Sequence, residues 1–562
     1  MIDSHFHLHT SDNSTPEKRA ERAEQIRKEM ELQGVDRVVL MGTVHNTIEE
    51  CRAANEIVGR YVEEHPDLFY GWARVDPRLD GAVDEFKRAV TEDGLVGLKH
   101  HFPVTPVNIS DPEFFPLAEA AVELDVPIIS HVMQRLPEDQ EKWDDSEAHT
   151  EDVTFLADRY PDLTLITAHI VAGGDAEYRI KNIADHDNVI VDISGSNCER
   201  HLVEMAAEYC GVERLVFGTD TWFQPGVGKL EGCDLRAEDK VKIAYNFEQF
   251  VGDHVPNKFD ADTLEARKAA QLERFEAADQ PREEPIVDAN AFLGRWPFFP
   301  FDETAEDLVA YMDRKGVDKA LVSSTEAVWY RNCHRGNEEL IEAIDGYEDR
   351  LIPIATVNPA YSAWREDLDT CLTDLGMQGV KLLPNYHHYD LDDPETKALL
   401  DICAEHEVPV IIAATLDDQR QRHPSVRLRG HEDGLKRAFT GPQVGQLIDL
   451  LTECPETDVI LADLWTQAAR IKREVNEVRP QGVRLDNQVR SGRTLYLVGD
   501  LYIYFTHQAA EAVEELGVEH LATGPQIPFK IFEAYYNYTD NLPLAEDEKN
   551  RVRSGNVLSL LE

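Results

Sequence analysis

Short apolar runs alternate with longer amphipathic segments rich in Glu, Ala and Leu through most of the chain. This alternation is typical of βα units, in which a buried parallel strand is followed by a helix that covers it. The first half contains eight such runs, which fits a (β/α)8 barrel of ~250 residues. The predicted strands are residues 2–9, 37–42, 69–75, 95–100, 127–132, 163–169, 189–193 and 214–219.

The second half repeats the first at an offset of 282 residues between Gly34 and Ile129, and beyond that segment insertions in the second copy increase the offset. A length of 562 residues also exceeds the ~250–300 residues that one hydrophobic core serves. The matching segments are GVDR 34–37 with GVDK 316–319, VDP 75–77 with VNP 357–359, DVPII 125–129 with EVPVI 407–411, and GVERL 211–215 with GVEHL 517–521. The sequence therefore predicts an α/β protein made of two tandem (β/α)8 TIM barrels of common origin.

A polar stretch with two prolines, EAADQPREEP, separates the two repeats. Such a composition is typical of a linker. We predict a first barrel over residues 1–276, a linker over 277–285 and a second barrel over 286–562. We also expect the two barrels to pack on each other as a pseudo-dimer.

The chain carries 107 acidic and 56 basic residues, a net charge of −51. A surface of this kind repels nucleic acid and anionic membranes, so we expect neither as a partner, and the expected partner is the small-molecule substrate of the site described below. Dense carboxylates are also typical of adaptation to high salt, because molar salt shortens the Debye length to ~3 Å. The first residues have neither a basic head nor an apolar run, and the eight cysteines have no disulfide-like spacing. Both features predict a cytoplasmic protein.

Histidines and an aspartate stand where barrel strands end. In the first strand Asp3, His5, His7 and His9 share one phase of the period-2 pattern, which would turn them toward the barrel interior. Polar groups there are costly unless they are paired or bind a metal. Further candidates close later runs, and they are His131, His169 and Asp220. Because the carboxyl ends of barrel strands form the active site, these groups can converge on one metal.

The order Asp3-x-His5-x-His7, His131, His169 and Gly218-Thr219-Asp220 resembles the amidohydrolase superfamily, and within it the amidohydrolase-2 branch of TIM-barrel metal-dependent hydrolases. The resemblance covers the whole first half and, more weakly, the second. It implies one divalent ion, with Zn expected and Mn or Fe as alternatives. It also implies His5, His7, His131 and Asp220 as ligands, with Asp220 and His169 in catalysis.

Lys99 leaves the number of metal ions open. Some members of the superfamily carbamylate a lysine at this place to bridge two metals, so two ions are expected if Lys99 is modified. Lys381 occupies the equivalent position in the second half, where the histidines are lost, so a lysine persists there without bridging anything. We therefore favour one ion and treat Lys99 as a group that supports the site or touches substrate.

Several basic residues lie near the predicted barrel mouth and could bind an acidic substrate. They are His9, His45, His100, His101 and Arg135. It is equally consistent with the sequence that they are solvent-exposed loop residues without a role in binding.

The second half has lost the metal-binding pattern. Asn290 and Phe292 replace His5 and His7. The other replacements are Ala413 for His131, Asp463 for His169 and Gln526 for Asp220. We therefore predict a degenerate barrel without a metal site.

These residues support three functions. The first is a metal-dependent hydrolase that uses an activated water on the C–N or C–O bond of an amide, ester or lactone in a small, carboxylated substrate. The alternative is a metal-dependent, non-oxidative decarboxylase of a small aromatic or unsaturated acid. The second alternative is a non-catalytic binding or scaffold protein.

Overall fold

The computed structural model describes residues 1–8, 15–101, 105, 107–132, 149–171, 176–195, 198–252, 255, 257–298, 301–417, 439–464, 467–478, 492–500 and 505–562. The chain divides into a first unit, Met1–Ala278, and a second unit, Asp279–Glu562. All eight cysteines lie in described segments and are buried thiols. Among the described helices, none is both long and apolar enough to cross a membrane.

The first unit is a parallel barrel of eight strands in sequential order. Its strands are β1 (Ile2–His7), β2 (Arg37–Met41), β3 (Phe69–Ala73), β4 (Gly97–His100), β5 (Ile128–His131), β6 (Leu165–Ala168), β7 (Val189–Asp192) and β8 (Leu215–Val216). The amide of Ser4 donates to the carbonyl of Phe217 over 2.9 Å, which joins the first strand to the segment after the last. All eight predicted strands are present.

Helices follow the strands of the first unit. They are α1 (Pro16–Gln33), α2 (Ile48–Glu64), α3 (Ala82–Thr91), α4 (Phe115–Leu124), α5 (Thr150–Arg159), α6 (Ala176–Ile183), α7 (Leu202–Cys210), α8 (Phe223–Gly232), α9 (Ala237–Tyr245) and α10 (Ala261–Ala278). Local sequence sets their ends. Thr15 caps α1 by accepting from the amide of Lys18, and Gly34 ends it in the left-handed conformation with φ of 67°.

The second unit has the same order of parallel strands. They are β9 (Val287–Trp296), β10 (Phe301–Glu303), β11 (Lys319–Ser324), β12 (Leu351–Pro353), β13 (Ala355–Thr356), β14 (Val380–Leu382), β15 (Val410–Ile412), β16 (Val459–Leu461), β17 (Thr494–Leu497) and β18 (Leu521–Ala522). Strand β10 forms an antiparallel hairpin with the extended end of β9, and β12 and β13 form one strand interrupted at Ile354. The amide of Ala289 donates to the carbonyl of Thr523 over 3.2 Å, which joins the first and last strands.

The helices of the second unit also follow its strands. They are α11 (Ala305–Lys315), α12 (His334–Ala343), α13 (Trp364–Thr373), α14 (Pro384–His387), α15 (Pro394–Glu405), α16 (Gly441–Glu453), α17 (Ala468–Val478), α18 (Thr506–Leu516), α19 (Phe532–Asp540), α20 (Glu546–Asn550) and α21 (Asn556–Leu558). Buried aliphatic and aromatic residues of the strands and of the inner helix faces form one continuous core. The protein is thus an α/β chain of two tandem TIM barrels, as the sequence predicts.

Candidate metal centre

Three groups able to hold a metal ion meet at the carboxyl ends of the first unit's strands. His5 lies on β1, His169 directly follows β6, and Asp220 follows β8. One ligand atom from each lies within 4.8 Å of the others, and this is the one such group of three found among the described residues. Two imidazoles and a carboxylate are ligands that suit Zn²⁺ and similar divalent ions. The donor set therefore fits the metal that the sequence predicts.

A buried carboxylate orients His5. Asp192, at the end of β7, accepts from Nδ1 of His5 over 2.8 Å, and the hydroxyl of Ser194 donates to the same carboxylate oxygen over 2.6 Å. This arrangement places the proton of His5 on Nδ1 and leaves a lone pair on Nε2. Burial holds the pKa of His5 well below its ordinary value, so the ring is neutral and able to bind a cation.

Asp220 lies among three imidazoles. Its carboxylate oxygens are 3.2 Å from Nε2 of His7, 3.6 Å from Nε2 of His5 and 4.0 Å from Nδ1 of His169. Burial alone would raise the pKa of Asp220, but His169, His7 and Lys99 outweigh it and hold that pKa at about 2. The side chain is 33% exposed, so this ionised carboxylate faces the barrel mouth.

Further histidines surround this cluster. The ring of His131 lies 4.9 Å from that of His169, and the ring of His101 lies 4.7 Å from that of His131. The ring of His7 lies 5.3 Å from that of His5. The structure thus brings all the predicted ligands to one place, with His169 joining His5 and Asp220 in the tightest group. The assignments of His5, His7, His131 and Asp220 as ligands and of Asp220 and His169 as catalytic residues stay predictions.

Lys99 is buried beside the candidate ligands. Its Nζ is 3.1 Å from Nε2 of His5, and burial lowers its pKa to about 7. A lysine with a lowered pKa can be carbamylated or can donate a hydrogen bond, so the contact is compatible with either interpretation of Lys99.

The residues proposed to touch substrate have different positions. His100 follows Lys99 on β4 and points away from it, with its ring 4.8 Å from that of Phe114 and its Nε2 bonded to the carbonyl of Val107 over 2.9 Å. This placement favours a structural role. His45 is half-buried and bonds to the hydroxyl of Thr43 over 2.9 Å.

The remaining substrate-binding candidates, His9 and Arg135, lie outside the described residues.

The backbone at two strand ends is strained. His169 has φ of 63° and Asp220 has φ of 55°, in the left-handed region that non-glycine residues rarely adopt. Each residue in such a backbone conformation destabilises the fold by roughly 1–3 kcal/mol, and residues of this kind cluster at functional sites. The equivalent Asp463 and Gln526 have φ of 59° and 61°, so the second unit keeps this backbone although it has other side chains.

The second unit uses its equivalent residues differently. Asp463 accepts from the amides of Ala414 and Thr415 over 2.9 and 3.0 Å, and Gln526 donates to the carbonyl of Leu416 over 3.0 Å. These side chains are held by main chain at the end of β15. Asp192, which orients His5, corresponds to Leu497 at the same register of the strand pair.

The sequence analysis missed Asp192 and Ser194, which contact His5. The position of Asp192 at the end of the seventh apolar run was a usable signal, since the same argument identified His131 and His169. Ser194 follows two residues later and has no pattern of its own.

The known proteins to which this chain is similar include two enzymes and one crystal structure. The chain is 25% identical to a gamma-resorcylate decarboxylase of Polaromonas sp. over 244 residues, covering 35% of this chain and 74% of that enzyme. It is also 25% identical to the gamma-resorcylate decarboxylase of Rhizobium sp. over 246 residues, covering 35% of this chain and 73% of that enzyme. A crystal structure of dihydroxybenzoic acid decarboxylase from Polaromonas sp., with bound manganese and the inhibitor 2-nitroresorcinol, is 19% identical and covers 44% of this chain and 95% of that chain, with a TM-score of 0.35.

The amidohydrolase family profile (Amidohydro_2) matches two segments, residues 2–245 and 254–467. Together these segments span most of the chain. The site described above lies within the first of them. The protein therefore belongs to the amidohydrolase family, with the family's fold present twice in one chain.

Proposed function

We propose that the first unit is a metal-dependent decarboxylase of a small aromatic acid. The observation that carries this proposal is the similarity to two gamma-resorcylate decarboxylases, which spans about three quarters of each enzyme. From the sequence alone we favour a hydrolase and keep a decarboxylase as the alternative, since the same ligand types serve both reactions. The similarity to these enzymes reverses that preference.

His5, His169 and Asp220 would hold the metal ion, with His7 and His131 beside them. A divalent cation at this place supplies Lewis acidity, which stabilises negative charge on a substrate oxygen. Burial lowers the pKa values of His5, His7 and His169, that of His169 to about 3, so these three imidazoles are neutral. Neutral imidazoles can bind a cation without first losing a proton.

Asp192 accepts a hydrogen bond from His5 and the hydroxyl of Ser194 contacts the same ring, so both would keep that ring in one orientation. In decarboxylation the bond between the ring and the carboxylate carbon breaks, CO₂ leaves, and the ring carbon takes up one proton. Among the acidic groups described at this site, Asp3 and Asp192 are fully buried, whereas Asp220 reaches the barrel mouth. We therefore assign the proton transfer to Asp220, which as an ionised carboxylate would first take a proton from water or from a hydroxyl group of the substrate and then pass it to the ring carbon.

The test is incubation of the full chain, loaded with Mn²⁺ or Zn²⁺, with 2,6-dihydroxybenzoate. We expect equal amounts of CO₂, measured by gas analysis, and 1,3-dihydroxybenzene, measured by liquid chromatography. In D₂O the product should carry one deuterium on the ring. The variant His5→Ala should lose activity at least about a hundredfold, whereas Asn290→Ala at the equivalent position should keep it.

Absence of CO₂ from a panel of hydroxylated aromatic acids, with metal bound, would contradict the proposal. A hydrolase would instead release a new acid without CO₂ from an ester, lactone or amide. Inactivity toward both panels would favour a binding protein.

A further inference from the structure

Arg74 is a buried arginine at the carboxyl end of the barrel in which two of the three guanidinium nitrogens have no hydrogen-bond acceptor among the described residues. It follows β3 at the carboxyl end, and it is 5% exposed. Its Nη1 donates to the carbonyl of Gly42, after β2, over 2.8 Å. Nε and Nη2 find no acceptor in the part of the chain that the structure describes. These two atoms form the edge of the guanidinium that presents two parallel N–H groups.

The charge of Arg74 is uncompensated. Burial lowers its pKa to about 10, which still leaves it protonated at neutral pH, and among the described residues no carboxylate raises that pKa. Its field reaches the site, because Arg74 contributes to lowering the pKa values of His7, Lys99 and His101. Buried charges are normally paired, so an unpaired guanidinium here requires an explanation.

Comparison of the two units shows which contacts of Arg74 belong to its backbone and which belong to its side chain. In the first unit Asn55 accepts from the amide of Arg74 over 2.9 Å and donates to its carbonyl over 3.2 Å. In the second unit Asn337 makes the same pair of bonds with Thr356, both at 2.9 Å. The asparagine clamp is thus common to both barrels, but the arginine is present only in the barrel that keeps the histidines.

We propose that the Nε and Nη2 edge of Arg74 binds a carboxylate group of the substrate. A carboxylate offers two oxygens at the spacing of two parallel N–H groups, and such paired bonds are among the strongest in proteins. Substrate binding then supplies the anion that the buried guanidinium lacks. The inference deepens the proposed function, on which its choice of an aromatic acid rests.

The experiment is a titration of the full chain with benzoate and with its neutral analogue benzamide, in which ligand-observed NMR measures binding. We expect benzoate to bind more tightly than benzamide. Arg74→Gln should weaken benzoate binding by about tenfold or more and leave benzamide unchanged. Arg74→Lys keeps the charge but not the paired edge, so it should be intermediate. Arg78→Gln, four residues further on, is the control and should bind as the wild type does.

Thermal unfolding without ligand separates a binding role from a structural one. If Arg74 awaits an anion, Arg74→Met should keep or raise the Tm, because it removes an unpaired buried charge. Benzoate should raise the Tm of the wild type and not that of the variant. A lower Tm for Arg74→Met, or equal benzoate affinity in wild type and Arg74→Gln, would overturn the inference, as would a wild type that does not distinguish benzoate from benzamide.

The same data keep the two proposals apart. Benzoate binding that depends on Arg74, without CO₂ release from any aromatic acid, would support the carboxylate site and reject the decarboxylase. CO₂ release with binding independent of Arg74 would do the reverse.

Discussion

Lys381 donates a hydrogen bond from Nζ to Oδ1 of Asn290 over 2.8 Å. The equivalent pair in the first unit is Lys99 and His5, with Nζ 3.1 Å from Nε2. The lysine and its contact with the first strand are therefore present in both units, although the second unit has an asparagine in place of the histidine. A lysine at this position is part of the barrel interior in both units, which weakens the argument that Lys99 is there to bridge two metals.

The buried Lys381 should make stability depend on pH. Burial lowers its pKa to about 7 in the folded protein, whereas the unfolded chain has the ordinary value of ~10.4. Between these values the unfolded state binds the extra proton, so stability rises with pH and is lost as pH falls through 7. From pH 7 to 9 we expect the wild type to gain roughly 1–3 kcal/mol relative to Lys381→Met. Urea titrations at pH 7, 8 and 9 measure this, and parallel curves for the two proteins would contradict it.

Metal content should be about one divalent ion per chain, because the described residues form one group of three suitable ligands. The variant His5→Ala/His7→Ala should lose the ion. The matched variant Asn290→Ala/Phe292→Ala alters the same positions of the second unit and should retain it. Elemental analysis after purification in high salt gives the ratio.

Two ions per chain would instead assign Lys99 as a carbamylated bridge. In that case the second ion should be lost in Lys99→Ala, and ¹³C-labelled bicarbonate should give a carbamate signal in NMR. If the intact chain binds no metal at all, the enzyme proposal fails.

Asp192 should set metal affinity through His5. Asp192→Asn keeps the shape of the side chain but removes the charge that accepts from Nδ1 of His5. Loss of such a supporting carboxylate typically lowers metal affinity by 10–100-fold. Competition with a chelator measures the dissociation constant. Leu497→Asn, at the equivalent strand end of the second unit, should leave that constant unchanged, and an equal effect of both variants would argue against a specific role for Asp192.

The strands could be predicted from the sequence because both faces of a barrel strand are buried, which makes each strand a continuous apolar run. The observed strands are shorter than the predicted ones at one end or at both, because the apolar runs extend beyond the residues that join the hydrogen-bonded ladder. In β1 a register shift between Asp3 and Phe6 also breaks the simple alternation of inward and outward residues. Asp3 instead accepts from the amides of His5 and Thr219 over 3.0 and 2.9 Å.

It was harder to predict which polar residues face the site. Lys99 and His100 are both polar and adjacent at the end of β4, so the sequence could not decide which one faces the barrel interior. Asp288 in the second unit repeats the bonds of Asp3, accepting from the amides of Asn290 and Ile527 at 2.8 Å each. This aspartate therefore joins the first and last strands in both barrels, and its proximity to a histidine motif is not evidence of metal binding.

Stability should depend strongly on salt, because the chain carries a net charge of −51. Self-repulsion of the carboxylates is screened as the Debye length falls from ~10 Å at 0.1 M salt to ~3 Å at 1 M. We expect the Tm to rise by several degrees between 0.1 and 2 M KCl and to level off when screening is complete. A Tm independent of KCl would contradict adaptation to high salt.

Gly97 and Gly379 occupy equivalent places at the start of β4 and just before β14, and they should differ in their tolerance of a side chain. A Cβ added at Gly97 would lie 2.2 Å from the carbonyl oxygen of Pro127, whereas one at Gly379 would lie 3.1 Å from that of Pro409. Backbone must move in the first case, so we expect Gly97→Ala to cost about 3 kcal/mol and Gly379→Ala about 1 kcal/mol.

Denaturant unfolding compares these two variants with Gly441→Ala, whose added Cβ would have nothing within 4 Å and which should be nearly neutral. Because Gly97 is two residues before Lys99, displacement of β4 should also disturb the contact between Lys99 and His5. Gly97→Ala should therefore weaken metal binding, whereas Gly379→Ala should not. Equal costs for the two substitutions, with unchanged metal affinity, would show that β4 can shift without disturbing the site.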